Sequence, residues 1–395
     1  MTVPSAQLPG PSSPVVLPDH DEDLPERPRV TELRLSAYAA HRRVGFPLGP
    51  LTLFTGPSGC GKTSALRAYE ALARLGGGVR LPEVFPDPLA CVPERARPDA
   101  QRRRGFRIGC TTDGPEGPVR LDVAVQAEPT LRIVGERLSA PGGLVLLETA
   151  LRDPSRRQVQ AAWHTAGQSP VTRAPLPDDR LGTALLPLRV AGKTDGQRRV
   201  LAAAEQTLVA LRSVFACDPR PGRMRGPVPT GSGRLLGGCD NLADVLWRTR
   251  AECAKRHAQF VTAVRAGCAG PVADVLAEPL ADGTVQALLD RGDGTRTDCG
   301  RLGDGELRYL ALALVLFTGP GVLEIDPVGE VPAAMQALTV LADHLDRGLD
   351  PRQRAELLRL AARMCDRGHI RLVGAVSDAS WAAGVDGVTV VHLKP

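Results

Sequence analysis

The stretch that decides the fold is Gly56-Pro57-Ser58-Gly59-Cys60-Gly61-Lys62-Thr63. It satisfies every specified position of the phosphate-loop pattern G-x-x-x-x-G-K-[ST]. The apolar run 51–54 before it predicts a strand, and the spacing of apolar residues over Thr63 to Leu75 after it predicts a helix. Strand, glycine-rich loop and helix in that order are the context in which this pattern binds a nucleoside triphosphate.

The chemistry of the loop explains its residue types. Its glycines let backbone N–H groups approach the β-phosphate, and the following helix directs its positive end there. Lys62 is placed to span the β- and γ-phosphates, and the Thr63 hydroxyl is placed to ligate Mg²⁺. ATP and Mg²⁺ are therefore the expected cofactors; the alternative is a glycine-rich turn that matches by chance. The residues expected to contact the phosphates are Gly56, Pro57, Ser58, Gly59, Cys60, Gly61, Lys62, Thr63 and Ser64.

An acidic partner for the magnesium is expected far downstream. The apolar run 322–325 predicts a strand that ends at Asp326, whose carboxylate would meet the Mg²⁺ held by Thr63. Lys62 and Asp326 are thus candidate catalytic residues. Because simple phosphate-loop enzymes place this strand much closer to the loop, the separation indicates a large insertion between them.

Leu302-Gly303-Asp304-Gly305-Glu306 precedes that predicted strand and opens a predicted helix, 304–317. Glycines at the start of a helix make an anion-facing N-terminus, so Gly303, Asp304 and Gly305 are candidate nucleotide contacts. The alternative is an ordinary helix start with Asp304 as its cap. The position upstream of Asp326 favours the first interpretation.

With these motifs the chain resembles the RecF/SMC/OLD-type ABC ATPases, in particular the compact AAA_21-like predicted ATPases. The resemblance covers residues 29–395. It is carried by the opening strand Val30–Leu35, the phosphate loop, the helix Gly305 to Leu312, the Asp326 strand, and the stretch from Arg225 through Asp240 to Leu246. It implies a homodimer that sandwiches ATP, with Gly303 and Gly305 of each subunit facing the partner's γ-phosphate. The nuclease domain of OLD proteins and the coiled-coil arm of SMC proteins are expected to be absent.

This chain departs from the family pattern at residues that act on the γ-phosphate or on the attacking water. The signature serine is Gly303 here, the catalytic glutamate after the strand aspartate is Pro327, and the switch histidine is missing from 376–379. Glu330 is the candidate replacement for the base, and Ser377 or Asp378 could order water. The resemblance therefore implies an ATPase, and the three missing groups leave slow hydrolysis, or binding without turnover, as an alternative.

The fold class expected is α/β: a P-loop NTPase of ABC-ATPase type, with a mixed sheet, an antiparallel β insert and an inserted helical lobe. Residues 1–28, rich in proline and acidic residues, predict a disordered tail. Residues 29–215 plus 300–395 would form the nucleotide-binding lobe, and 216–299 the helical lobe. Alternating apolar residues between 105 and 147 predict the antiparallel strands. Further helices are predicted over 197–215, 241–264, 331–347 and 351–366, and strands over 284–289, 370–376 and 388–392.

Composition limits the function classes. The chain of 395 residues has a net charge of +5, which permits nucleic-acid partners without indicating them. Its nine cysteines include no C-x-x-C pair, and Cys239, Cys253, His257 and Cys268 fit no zinc spacing, so buried thiols are expected. The longest apolar run, 310–317, is too short for a membrane span, and no signal peptide is recognised, so a cytoplasmic protein without membrane contact is expected.

An arginine cluster, formed by Arg102, Arg103, Arg104 and Arg107, is the candidate DNA contact; the alternative is a solvated loop in an arginine-rich chain. Two functions follow. One is an ATPase that cycles on DNA in repair or defence. The other is a hydrolysis-poor, nucleotide-gated module that controls a separate effector protein. A small-molecule kinase would need an acceptor site and a lid, for which the sequence offers no candidate.

Overall fold

Three β-sheets organise the protein in the computed structural model, which describes residues 27–166, 170–231, 233–319, 321–325 and 336–394. The predicted tail, 1–28, lies outside the described residues up to position 26. The strands are β1 Arg29–Tyr38, β2 His41–Pro47, β3 Leu51–Thr55, β4 Arg104–Asp113, β5 Val119–Glu128, β6 Arg132–Ser139, β7 Val145–Ala150, β8 Gln158–His164, β9 Val171–Pro177, β10 Val214–Cys217, β11 Val228–Pro229, β12 Asp274–Pro279, β13 Thr284–Asp290, β14 Arg296–Asp298, β15 Leu338–Ala342, β16 Ile370–Ala375 and β17 Val388–His392. The helices are α1 Lys62–Gly76, α2 Leu81–Val84, α3 Gly182–Arg189, α4 Asp195–Arg212, α5 Pro221–Met224, α6 Leu242–Glu252, α7 Ala254–Gly267, α8 Asp304–Phe317 and α9 Pro351–Asp366.

The sheets differ in strand direction. A five-stranded parallel sheet has the order β10-β15-β16-β3-β17. An eight-stranded antiparallel sheet has the order β2-β1-β4-β5-β6-β7-β8-β9, and a small antiparallel sheet contains β11, β12, β13 and β14. This mixed α/β architecture confirms the predicted fold class. The antiparallel sheet is larger than the predicted insert because β1 and β2, which precede the phosphate loop, also belong to it.

The parallel sheet is buried on both faces, and the two-residue period of its strands divides the apolar core. In β3, Leu51 and Leu53 pack in the cluster on one face, whereas Phe54 packs in the cluster on the other. In β15, Val340 lies on the first face and Leu341 on the second. Helices α6 to α9 contribute to the first cluster, and α1 with the antiparallel sheet contributes to the second. Since parallel strands end at one edge, the segments after β3, β15 and β16 meet there.

Two sequence predictions about the region after α8 are wrong. The predicted strand 322–325 forms an isolated parallel bridge between Leu235 and Leu323 and joins none of the three sheets. The predicted helix 331–347 lies partly outside the described residues, and its described part contains β15 instead. The reason is burial: a central parallel strand reads as a continuous apolar run, and its alanines and leucines also suit a helix.

Other elements lie close to their predicted bounds. Helices 304–317 and 351–366 and strand 388–392 are confirmed residue for residue, and strand 370–376 is one residue shorter. The predicted helix 241–264 is broken at Cys253, whose backbone is extended, into α6 and α7. Helix 197–215 ends at Arg212, after which the chain becomes β10. In the described part of the chain, no helix combines the length and hydropathy needed to cross a bilayer.

Candidate nucleotide-binding site

The phosphate loop connects the end of β3 to the start of α1, as the sequence predicts. Gly56, Gly59 and Gly61 have φ angles of 148°, 82° and 97°, a region that side chains with a Cβ adopt only with strain. Gly61 caps α1 in the left-handed conformation, and Lys62 begins the helix. The loop therefore has the backbone shape that directs N–H groups inward, where an anion would bind.

His41 supports the end of this loop, a role that the sequence did not indicate. Its Nε2 donates to the Gly61 carbonyl at 3.0 Å, and its ring packs edge-on against Phe46 at 5.4 Å between centroids. Burial lowers the pKa of His41, and the hydrogen bond to Gly61 only partly opposes this effect. A Cβ added to Gly61 would lie 2.6 Å from Nε2 of His41. The buried imidazole thus fixes both the position of Gly61 and its identity as glycine.

Lys62 folds back across the loop that it follows. Its ammonium donates to the carbonyl of Gly56 at 2.6 Å and to that of Pro57 at 3.1 Å, with Sγ of Cys60 at 3.8 Å. The charge therefore lies at the mouth of the loop, within reach of a phosphate held by the loop. Binding of a phosphate would replace these carbonyl contacts with hydrogen bonds between the ammonium and an anion, which are stronger.

The acidic residue that reaches the phosphate loop is Asp343, which follows β15. The Thr63 hydroxyl donates to Oδ1 of Asp343 at 3.2 Å. The residues named from the sequence for this role and for the base, Asp326 and Glu330, lie outside the described residues, and the strand expected to end at Asp326 is not part of the parallel sheet. Thr63 and Asp343 are therefore the candidate metal ligands that the described residues bring together, and Asp326 stays a prediction. Hydroxyl and carboxylate oxygens are ligands that suit Mg²⁺.

With Asp343 as a candidate ligand, the residue that follows the acid is a histidine. The residue directly after Asp343 is His344, not Pro327. His344 has a φ angle of 51°, and its exposed ring places Nδ1 3.4 Å from Oδ1 of Asp343. Its backbone N–H donates to the same carboxylate oxygen at 3.0 Å. An imidazole therefore lies where the resemblance places a carboxylate.

A cavity of about 630 Å³ joins these groups. The phosphate loop, the segment after β15 and the end of β16 line it. Asp346 is held near the end of β16, where its carboxylate accepts the N–H of Ser377 at 2.9 Å and also the Ser377 hydroxyl. The lining residues are Gly56, Pro57, Ser58, Gly59, Gly61, Lys62, Thr63, Ser64, Asp343, His344, Asp346, Arg347, Gly348, Arg354, Ala375, Val376 and Ser377. Ser377 thus lies at the cavity as expected, whereas Asp378 is hydrogen-bonded to Ser380.

The glycines at the start of α8 have different surroundings. Gly303 is the N-cap, its N–H donating to Glu306 at 3.0 Å, and Asp304 is the first helical residue, so Asp304 does not have the capping position that the alternative interpretation gave it. Asp304 pairs with Arg225 at 2.5 Å. A Cβ added to Gly305 would lie 2.3 Å from the carbonyl oxygen of Gly348. Gly305 therefore allows α8 to pack closely against the cavity wall of its own chain.

Arg308 connects α8 to the same wall. Its guanidinium is buried and donates to Asp218 at 3.1 Å and to the Pro219 carbonyl at 2.6 Å. It also donates to the carbonyls of Asp343 at 3.4 Å and His344 at 2.9 Å. One side chain thus joins the end of β10, the helix α8 and the backbone of the candidate metal ligand.

The arginine cluster is only partly available to a ligand. Arg103 pairs with Asp99 at 2.8 Å and Arg104 pairs with Glu128 at 2.6 Å, which neutralises both. Arg107 is exposed on β4, and the strand register places it opposite Ser36 of β1. Arg43 of β2 lies opposite Ser36 on the other side. Arg43, Ser36 and Arg107 therefore form a row across three neighbouring strands, and Arg107 is the member of the predicted cluster that lies in this row.

Comparison with known proteins identifies the fold but no family. No protein-family model matches the chain, and no curated protein does. Among solved structures, the Smc head bound to the C-winged helix domain of ScpA matches with a TM-score of 0.53 and 11% identity, over 93% of this chain and 95% of that chain. The Smc head from Thermotoga maritima (TM-score 0.44, 12% identity, 92% and 94% covered) and that from Pyrococcus furiosus with the C-terminal domain of ScpA (0.45, 12%, 93% and 94%) also match. On the first likeness, the chain has the fold of SMC heads, which is an ABC-type ATPase fold.

The sequence analysis did not identify two residues of the candidate site, Asp343 and His41. Asp343 could have been found from the run Ala337 to Ala342, which is wholly apolar apart from Thr339 and ends in an acid. The polar pair Asp343-His344 and the turn residue Gly348 then separate that run from α9. For His41, by contrast, no local signal exists, because its role depends on the pairing of β2 with β1, which brings it to Gly61.

Proposed function

We propose that the protein binds Mg·ATP in the cavity beside the phosphate loop and works as an ABC-type nucleotide-dependent head. The observation that carries this proposal is the 3.2 Å contact between Thr63 and Asp343. It joins the two oxygen ligands that a triphosphate-bound Mg²⁺ requires, next to Lys62. When bound, Mg²⁺ would neutralise phosphate charge. Lys62 would hold the β- and γ-phosphates, and the backbone N–H groups of the loop would surround the β-phosphate.

We further propose that two copies close on ATP, as the resemblance to RecF/SMC/OLD-type proteins implies. Gly303, which is exposed and where an added Cβ would lie 3.7 Å from Oε2 of Glu306, would face the partner's γ-phosphate. Gly305 is less suited to that role because it packs on Gly348. Asp304 would bring negative charge to the same surface, and its pairing with Arg225 offsets that charge.

Hydrolysis is proposed to be slow, so that the protein serves as a nucleotide-gated module for a separate effector. The support is His344 at the position after Asp343, together with Gly303 in place of the signature serine. Glu330 stays a candidate base proposed from the sequence. A cycling ATPase that acts on DNA is the second candidate, favoured by the exposed pair Arg43 and Arg107.

The test is Mg·ATP binding by calorimetry together with the mass of the protein in solution, with and without nucleotide. Lys62→Ala and Asp343→Asn should each weaken binding by roughly tenfold or more, because each removes a charge that faces phosphate or metal. Lys193→Ala, which removes an exposed lysine elsewhere, is the matched control and should bind as the native chain does. Absence of ATP binding by the native chain would refute the proposal. Binding without a doubling of mass would refute its dimeric part.

A further inference from the structure

Two arginines line the same cavity as the phosphate loop. The segment between β15 and α9 is fixed by its buried residues Leu345 and Leu349, and its left-handed Gly348 has a φ angle of 72°. This conformation leaves Arg347 exposed at the cavity, while Arg354 reaches it from the first turn of α9. Both arginines therefore line the cavity that also contains Lys62.

The carboxylates of the same cavity are already engaged. Asp343 accepts from Thr63, and Asp346, only 6% exposed, accepts from the backbone and hydroxyl of Ser377. Within the described ranges, neither Arg347 nor Arg354 forms an ion pair with a carboxylate; the Nε of Arg354 donates to the Leu349 carbonyl at 2.9 Å.

Asp378 is an acid that lies near Arg354. Its pKa is lowered mainly by the hydroxyl and backbone N–H of Ser380, and Arg354 adds the smallest contribution. Its carboxylate is thus engaged with Ser380 rather than with the arginine. The cavity accordingly presents two guanidinium groups without a matching anion. Guanidinium groups bind phosphate oxygens in a planar, bidentate geometry that an ammonium cannot provide.

We propose that Arg347 and Arg354 bind the terminal phosphate of the nucleotide, so that the cavity selects a triphosphate over a diphosphate. The inference rests on the proposed function, since it assumes that the phosphate loop holds the nucleotide. A diphosphate would occupy the loop and Lys62 alone. The third phosphate would extend from the loop into the cavity that these two arginines line. The site would then distinguish the two nucleotides without hydrolysing either.

The test compares the dissociation constants of Mg·ADP and of a non-hydrolysable ATP analogue with Mg²⁺, measured by calorimetry. Arg347→Gln and Arg354→Gln should each raise the dissociation constant of the triphosphate analogue by roughly tenfold to a hundredfold. The dissociation constant of Mg·ADP should stay within about twofold, which also verifies that the variants are folded. Arg352→Gln is the matched control, because the native Arg352 guanidinium donates to the carbonyls of Gly267 and Cys268. This variant should leave the preference for triphosphate unchanged.

The outcomes separate this inference from the proposed function. If the native chain binds both nucleotides and the two variants keep its preference, the arginines do not contact the terminal phosphate. An equal loss of both affinities would likewise overturn the inference, because it would mean a general electrostatic or structural effect. If the native chain binds neither nucleotide, the proposed function fails and this inference fails with it.

Discussion

Two separate features, the backbone φ angle and the neighbouring His41 ring, favour glycine at position 61. Its φ angle of 97° disfavours a Cβ, and the buried ring of His41 occupies the space that a Cβ would need. Gly59, in the same loop, has a similar φ angle of 82° but nothing within 4 Å of a Cβ. The two glycines therefore form a matched pair that separates backbone strain from steric conflict.

Gly59→Ala is expected to destabilise the protein by about 1–2 kcal/mol, the cost of a side chain in the left-handed region. Gly61→Ala should cost about 1–3 kcal/mol more, since the imidazole must move from its buried position. Urea unfolding of the nucleotide-free protein measures both differences. Combining Gly61→Ala with His41→Ala tests the cause, because the steric part should vanish in the pair. Equal costs for the two glycines would show that His41 imposes no constraint.

At the same scale, the phosphate loop was predictable and its acidic partner was not. Lys62 and Thr63 follow from a local pattern, since the loop, its flanking strand and its helix are contiguous in sequence. The contact of Thr63 with Asp343 spans two distant segments and depends on the order of strands in the parallel sheet. Asp326 also ends an apolar run, so the sequence alone offered two candidates and no means of knowing which run enters the sheet.

Among the elements, α9 was predicted residue for residue because its start and its period are visible in the sequence. Helix α9 begins with Asp350 as a capping residue and Pro351 at its first position, and its polar residues alternate with buried leucines. Strand β15 is buried throughout, which removes the alternation that marks a strand. Its preceding alanines then favoured a helix. The missed strand was therefore the one that carries Asp343.

Helix α8 contacts the segment that lines the candidate nucleotide cavity, chiefly through Arg308. Its guanidinium, 3% exposed, holds the carbonyls of Asp343 and His344 and also binds Asp218. Because the contact of Gly305 with Gly348 adds a second attachment, movement of the segment after β15 should be transmitted to the start of α8. The start of α8 is the surface proposed to meet a partner subunit.

Arg308→Met tests this attachment. We expect a loss of about 3 kcal/mol of unfolding free energy, since several charge-assisted hydrogen bonds to buried carbonyls disappear. Arg301→Met, an exposed arginine just before α8, is the control and should change stability by less than about 0.5 kcal/mol. Urea unfolding gives both values. A variant at position 308 that is as stable as the control would mean that the bonds to Asp343 and His344 carry little energy.

For the whole molecule, the parallel sheet contributes residues to both apolar clusters, and the cavity lies at the edge of that sheet. The phosphate loop connects β3 to α1, whereas the other long lining segment connects β15 to α9. Both clusters therefore contribute a side of the cavity, and a nucleotide bound there would join them. This arrangement suits a protein whose shape responds to nucleotide, whether or not it hydrolyses that nucleotide quickly.

The residue at position 344 decides between a switch and a cycling ATPase. If His344 occupies the place of a catalytic base, His344→Glu should increase single-turnover hydrolysis of Mg·ATP by at least about tenfold, because a positioned general base contributes roughly a hundredfold or more. His344→Gln, which offers no carboxylate, is the control and should give no increase. If the native chain already hydrolyses ATP and Glu330→Gln abolishes that activity, the base lies at Glu330, and the substitution at 344 should then add little. An unchanged rate in His344→Glu with ATP binding intact would mean that the attacking water does not lie beside Asp343, and the case for a switch that needs only binding would rest on the dimer mass alone.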